Sequence, residues 1–322
     1  MNIRLRKPDT ADTTSGPDSA AIAAVRSQTS APDAGFDGVD SPGTARVKRT
    51  VSYGVLSLFA LIYLGPFVLS VATSFKTSAN SLANPLSLFP SPVTTLSWRQ
   101  LFGFADSAVD IRLGRWTLNS IIVTTCITVG RVGLASLAGY SLARLNFPGR
   151  KQVLALILGV MMVPGVVLLI PRFLVLKELD IRNTYMGMVL PLLVDCAAIY
   201  LMKQNFEALP ISVEEAARID GASTFRIFRS IVLPMARPSL IAVTVLSVQG
   251  AWNEFTMFLV ATDKPELKTL TLGLAQFQGG LGSGKNYPLL LGAAVLTTIP
   301  IIVVFFTFQR YFTGDAAAGS DK

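Results

Sequence analysis

The sequence predicts an all-α integral membrane protein with six transmembrane helices, and three observations carry that reading. Of its 322 residues, 51% are hydrophobic and only 15% charged, with a mean hydropathy of +0.52. A soluble domain carries about 25% charged residues. Uncharged runs at 51–75, 153–171 and 287–308 follow one another along the chain, and roughly 18 apolar residues suffice to cross a hydrocarbon core of about 30 Å as a helix. Finally, most of the basic residues fall in short loops between such runs, where positive charge sets topology.

The elements follow in order. Residues 1–45 are rich in Ser, Thr, Asp, Ala, Pro and Gly. Such a segment buries too little apolar area to offset ordering entropy, so a disordered cytoplasmic tail is expected. Arg4, Arg6 and Lys7 resemble a signal's basic start, but no apolar stretch follows them. Arg46, Lys48 and Arg49 form a basic collar before span one, at 51–75, which the Gly65-Pro66 pair is expected to break. Residues 46–115 thus hold the first span and a long extracytoplasmic loop.

Span two, 117–141, contains Arg131. Span three, 152–174, contains Pro164-Gly165, and span four, 184–203, contains Asp195. Span five, 238–262, carries Glu254, and span six, 286–309, carries Pro300. Pro and Gly are tolerated within spans because neighbouring helices or water satisfy the freed backbone groups. Six spans with the N-terminus inside place both termini and the loops two–three and four–five in the cytoplasm. Lys and Arg are modestly enriched on that side, as expected.

Several function classes are excluded by what the chain lacks. There is no histidine, which removes the usual general base and the commonest metal ligand. No metal-ligand cluster or nucleophile–base pair is visible, so a membrane enzyme is poorly supported. Cys126 and Cys196 lie in apolar runs and read as packing thiols. The net charge of +8 belongs to the loops rather than to a nucleic-acid surface. The stretch Gly279-Gly-Leu-Gly-Ser-Gly284-Lys285 approaches a phosphate-binding loop, but Asn286 replaces the Ser or Thr that would hold Mg²⁺. No ATP or metal site is expected in this chain.

The loop between spans four and five carries the most information. It reads Leu209-Pro-Ile-Ser-Val-Glu-Glu-Ala-Ala-Arg-Ile-Asp-Gly221, then Ala-Ser-Thr-Phe-Arg-Ile-Phe-Arg-Ser-Ile231-Val-Leu233-Pro234. Two short helices joined at a glycine are expected. Ser212 and Glu215 have capping-box spacing, and Gly221 is placed to end the first helix in a left-handed turn. The second helix, about 224–233, offers Phe225, Phe228 and Val232 on one side, and Pro234 is expected to end it. Ala216 and Ala217 are small enough to seat this backbone against another protein. An interfacial helix that merely links two spans fits the same residues.

Glu215-Ala216-Ala217, Gly221 and the Ile231-x-Leu233-Pro234 ending stand at the spacing of the EAA loop of ABC importer permeases. Residues 116–312 resemble the binding-protein-dependent permease domain, with further similarity at Asn119-Ser120, at 140–149, at Trp252-Asn-Glu-Phe255 and at Gln309-Arg-Tyr-Phe312. The branch most similar is the carbohydrate one, and within it the shorter permease of maltose-type systems. The resemblance implies that this cytoplasmic loop is a coupling helix set in a cleft of an ATP-binding subunit. Glu215 and Asp220 would then supply polar contacts, with Glu214 beside them among the coupling residues, Ala216, Ala217 and Gly221 the close-approach surface, and Ile231, Leu233 and Pro234 the link to span five. It also implies a second homologous permease, paired ATPase subunits that bind ATP and Mg, an extracytoplasmic binding protein, and a multi-pass location in a bacterial cytoplasmic membrane among its lipids. The tail 313–322 keeps only traces of the branch's Gly- and Lys-containing ending.

Ionisable residues inside spans are costly and face protein or water. Arg131, Asp195 and Glu254, with Trp252 and Asn253 beside the last, are the candidates for a translocation path. An aromatic ring beside polar groups suits a sugar's apolar face and hydroxyls. The expected function is the permease subunit of an importer for a sugar or polyol. A stand-alone ion-coupled carrier, using the same charges as relays, is the rival.

Overall fold

The computed structural model describes residues 42–107, 110–278 and 286–309. The segment 1–41, the glycine-rich stretch 279–285 and everything from Arg310 onward lie outside it. Among the described residues there are helices and loops and no strand. The chain divides into two units, 1–62 and 63–322.

The first unit is the leading part of helix α1 (Pro42–Ser74). Its apolar residues, among them Leu56, Phe59 and Leu61, are exposed within the chain, as in a helix meant for lipid or another subunit. The expected break at Gly65-Pro66 does not occur, and α1 runs through Pro66 to Ser74. The Ser70 hydroxyl donates to the Pro66 carbonyl at 2.8 Å, inside the helix.

The second unit contains two further unbroken apolar helices, α2 (Leu113–Arg144) and α8 (Tyr287–Phe308). Three more apolar stretches are broken. α3 (Arg150–Met161) meets the segment Gly165–Glu178 at 96°, and Tyr185–Leu192 meets α5 (Cys196–Ala208) at 46°. Thr224–Met235 meets α7 (Arg237–Trp252) at 80°. Among the described residues, three helices are therefore long and apolar enough to cross a membrane, or up to six if each bent pair is one span.

Each bend has a local cause. Pro164, at φ −59°, lacks the N–H that would continue α3, and the chain restarts as a 3₁₀ turn that leads into α4 (Leu169–Glu178). Asp195 takes an extended conformation and caps α5. Ala236 leaves helical geometry just before Arg237-Pro238. The fifth stretch is shorter than expected: α7 ends at Trp252, and a separate helix, Thr256–Ala261, follows after a break. Glu254 consequently lies in that break rather than within a span.

Packing is centred on α2. Its Gly139 lets α5 approach so closely that a Cβ there would stand 2.8 Å from Met202 Cβ and 2.9 Å from the Lys203 backbone nitrogen. Buried side chains form one cluster around Tyr140, Met202, Phe206 and Phe228. A second gathers Ile127, Met188 and Phe258, and a third Trp116, Trp252 and Leu289. By contrast, no residue of α3 is buried.

Candidate functional site

The loop singled out in the sequence folds as α6 (Ile211–Ile219) followed by the segment Thr224–Met235. The Ser212–Glu215 capping box does not form. Pro210 takes the N-cap position, so Ser212 already stands inside the first turn, and no side chain caps it. The other end is as expected. Gly221 adopts φ +81°, Ala222 N–H donates to Ala217 O at 3.0 Å, and Gly221 N–H donates to Arg218 O at 3.0 Å. These two bonds make a Schellman ending, which needs a left-handed residue.

The second part departs from a plain helix. Ser223 caps it, Phe228–Val232 forms a π-helical turn, and helix resumes over Leu233–Met235. Pro234 does not end it. The proline lies inside the continuous helical run Thr224–Met235, directly after the π-helical turn, and the chain turns at Ala236 instead.

Burial sorts the loop's residues into two faces. Glu214, Ala217, Ile227, Phe228 and Val232 point into the chain's own core. Glu215, Ala216, Asp220, Gly221 and Phe225 are exposed, and Ile219 is 87% exposed. Ala217 therefore belongs to the inner face, not to an outward close-approach surface, and Phe225 is not on the side of Phe228 that is buried. Ile231 and Leu233 are half-buried, whereas Pro234 is exposed.

Glu214 is the anchor. Its Oε1 lies 2.7 Å from Arg144 Nε, an ion pair rather than an aligned hydrogen bond, with side chains 3% and 8% exposed. Tyr140 donates its hydroxyl to Glu214 Oε2 at 3.1 Å. Arg144 Nη2 donates to Leu209 O at 2.6 Å, and Leu209 is the C-cap of α5. Tyr140, Phe206 and Phe228 pack ring on ring beside this group, with centroids 5.0 to 6.4 Å apart.

The residues expected along a translocation path separate into two places. Arg131 and Asp195 come together, with Nη1 to Oδ2 at 3.3 Å. Asp195 also caps α5, accepting from the N–H groups of Ala197 and Ala198 at 2.9 and 3.1 Å. Trp252 is core: it is 6% exposed and donates its indole N–H to Thr297 O at 3.1 Å. Asn253 is exposed and donates to Gln249 O at 2.9 Å. Glu254 accepts from Met257 N–H at 2.8 Å, capping the next helix. No hydrogen bond or ion pair among the described residues joins the two groups.

Asn119 is a site that sequence reasoning noticed only as the start of span two. Fully buried, it donates to Glu266 O and Lys268 O at 2.8 Å each and accepts from the Tyr185 hydroxyl at 2.7 Å. Next to it, Ser120 Oγ accepts from Leu270 N–H at 2.8 Å. A polar residue that recurs on the inward stripe of an apolar helix was the available signal.

Comparison with known proteins agrees with this architecture. The family described as binding-protein-dependent transport system inner membrane component matches residues 132–315. The arabinooligosaccharides transport system permease protein AraQ of Halalkalibacterium halodurans is 32% identical over 83% of this chain and 94% of its own length. For the diacetylchitobiose uptake system permease protein NgcG of Streptomyces coelicolor the figures are 30%, 84% and 88%. For the sn-glycerol-3-phosphate transport system permease protein UgpE of Brucella abortus they are 28%, 83% and 95%. A crystal structure of a bacterial ABC transporter involved in the import of the acidic polysaccharide alginate shares the fold, with a TM-score of 0.71 at 23% identity over 83% of this chain and 97% of that one. The family match spans more than half the chain and sets aside the stand-alone carrier, so this chain belongs to the binding-protein-dependent transport system inner membrane components and is a permease subunit.

Proposed function

We propose that this chain is one of two homologous permeases of an ATP-driven importer for an oligosaccharide or a related polyol, and that residues 211–221 dock on its ATPase. One observation carries the reading. α6 is anchored through Glu214 while its opposite face, with Glu215, Ala216, Ile219 and Gly221, is exposed, at the spacing from Ile231, Leu233 and Pro234 that the importer resemblance requires. Exposed apolar and small groups beside carboxylates suit a protein cleft better than a membrane surface, which favours basic faces.

In this reading each bent pair is one span, giving six spans with both termini and the docking loop in the cytoplasm. ATP and Mg belong to the ATPase, and this chain binds no cofactor. The apolar faces of α1 and α3 are covered by the second permease and by lipid. Solute reaches the pair from an extracytoplasmic binding protein. The sugar class rests on the names of AraQ and NgcG; a glycerol phosphate, as named for UgpE, is the neighbouring possibility.

An Ile219→Cys variant of the complete transporter tests the docking face. It is expected to form a disulfide with a cysteine placed in the cleft of the ATPase subunit and none with the binding protein. A disulfide to the binding protein instead would refute both the docking and the orientation. Uptake of labelled oligosaccharides by the same membranes then identifies the solute.

A further inference from the structure

We infer that Glu214, Arg144 and Tyr140 form the mechanical joint that makes α2 the element driven by the docking helix, so that Glu214 is a positioning residue for transport although it faces away from the ATPase. The inference rests on the docking role proposed for residues 211–221.

Covalent connectivity points elsewhere, since the chain leaves the loop through Thr224–Met235 into α7. That route is indirect: it contains the π-helical turn Phe228–Val232 and an 80° bend at Ala236, so α7 does not continue the direction of the loop. The non-covalent route is direct. Glu214 meets a cation and a hydroxyl, both from the last turns of α2, with both charges almost wholly out of water.

Separating such a pair leaves an uncompensated buried charge, so the geometry is kept while the helix moves. Arg144 also holds Leu209 O, which fixes the last turn of α5 and the first turn of α6 to the same guanidinium. One turn further along α6, Ala217 packs into the cluster that contains Tyr140, Phe206 and Phe228. Displacement of α6 therefore moves the Arg144 end of α2.

α2 is suited to carry that displacement. It is an unbroken helix of 32 residues, about 48 Å at 1.5 Å per residue. Its other end holds the chain between Glu266 and Leu270 through Asn119 and Ser120, and Tyr185 through Asn119. A single stiff helix thus links the docking loop to loops on the opposite end of the bundle.

The test uses the complete transporter, purified through a tag on this chain and reconstituted in proteoliposomes. Glu214→Gln and Tyr140→Phe are each combined with the Ile219→Cys reporter. ATP hydrolysed, solute taken up and the disulfide to the ATPase are measured together. For Glu214→Gln, hydrolysis and the disulfide persist while uptake per ATP falls by about tenfold, within the range of a typical coupling between sites. Tyr140→Phe shows a smaller fall in the same ratio.

A residue needed only for folding would lower both activities together and leave the ratio alone. Uptake per ATP within about twofold of the unmodified transporter for both variants, a change below typical coupling, would overturn the inference while leaving docking intact. Failure of both variants to assemble would overturn it too, by making the cluster part of folding alone. Absence of the disulfide in the reporter without either substitution would instead overturn the docking reading, and the inference with it.

Discussion

Arg131 and Asp195 bridge the middle of α2 to the break before α5, with Nη1 3.3 Å from Oδ2. The same guanidinium donates from Nε and Nη2 to Leu192 O at 3.1 and 2.9 Å. One side chain thereby neutralises an acid and satisfies a carbonyl that the break leaves free. Charges at membrane depth are retained where they pair or where they work, and this pair is already engaged with its own chain. A joint that stabilises the broken helix accounts for both residues without a solute.

The two roles of Asp195 separate by substitution. Asn can cap a helix as well as Asp but carries no charge. Asp195→Asn is expected to lower stability by about 1–2 kcal/mol, a value discounted because the acid is partly exposed. Asp195→Ala loses the cap as well, about 1 kcal/mol more. Unfolding midpoints in detergent check this, and equal midpoints for the two variants would remove the cap from the account.

Gly139 is expected to be intolerant for steric reasons. Any Cβ there meets backbone and a Cβ of α5 inside 3.0 Å, and neither can rotate away. Gly139→Ala should cost about 1–3 kcal/mol as an overpacked contact. Gly133 lies in the same helix with nothing within 4 Å of its added Cβ. Gly133→Ala should be neutral or gain up to about 1 kcal/mol from helix propensity. Comparable losses for both would mean that close helix packing is not what Gly139 supplies.

The left-handed turn at Gly221 makes a graded prediction. There is open space around its Cβ position, but φ is +81°, so the penalty is conformational, about 1–2 kcal/mol for an ordinary residue. Asn tolerates that region better than Val. Uptake should follow the order Gly221, Gly221→Asn, Gly221→Val. Unimpaired uptake in the Val variant would show that the turn does not set the position of α6.

Adjacent alanines should differ in reach. Ala216 is exposed and Ala217 is 8% exposed. In membranes stripped of peripheral subunits, a charged maleimide should label Ala216→Cys at least about tenfold faster than Ala217→Cys, as expected when one thiol is open and the other packed in the core. Similar rates would mean that α6 is rotated relative to the structure.

Much of the architecture was open to direct reading. Charge-poor runs announce membrane helices because a lipid core rejects unpaired charge, and Gly221 announces its turn because other residues resist a positive φ there. The breaks at 162–164 and around 236 were less legible, because a proline inside a span permits a bend without setting its angle. Pro66 and Pro164 show the difference: one is carried through a helix and the other ends it at 96°. The break after Trp252 is not legible, because Asn253 and Glu254 sit in an apolar context whose composition does not register it.

The loop at 209–234 marks the boundary between the two kinds of information. Composition alone establishes membrane helices, and local physics places a helical loop and the glycine that ends α6; the permease reading comes from resemblance to a family's fixed pattern. They do not say which of two neighbouring glutamates is the anchor. Glu214 and Glu215 are chemically identical and stand about 100° apart on a helix. Folding settles it by bringing Tyr140, 74 residues away, and Arg144 against Glu214. A charge can be buried only where a partner waits, and which partner waits is a property of the packed helices rather than of the local sequence.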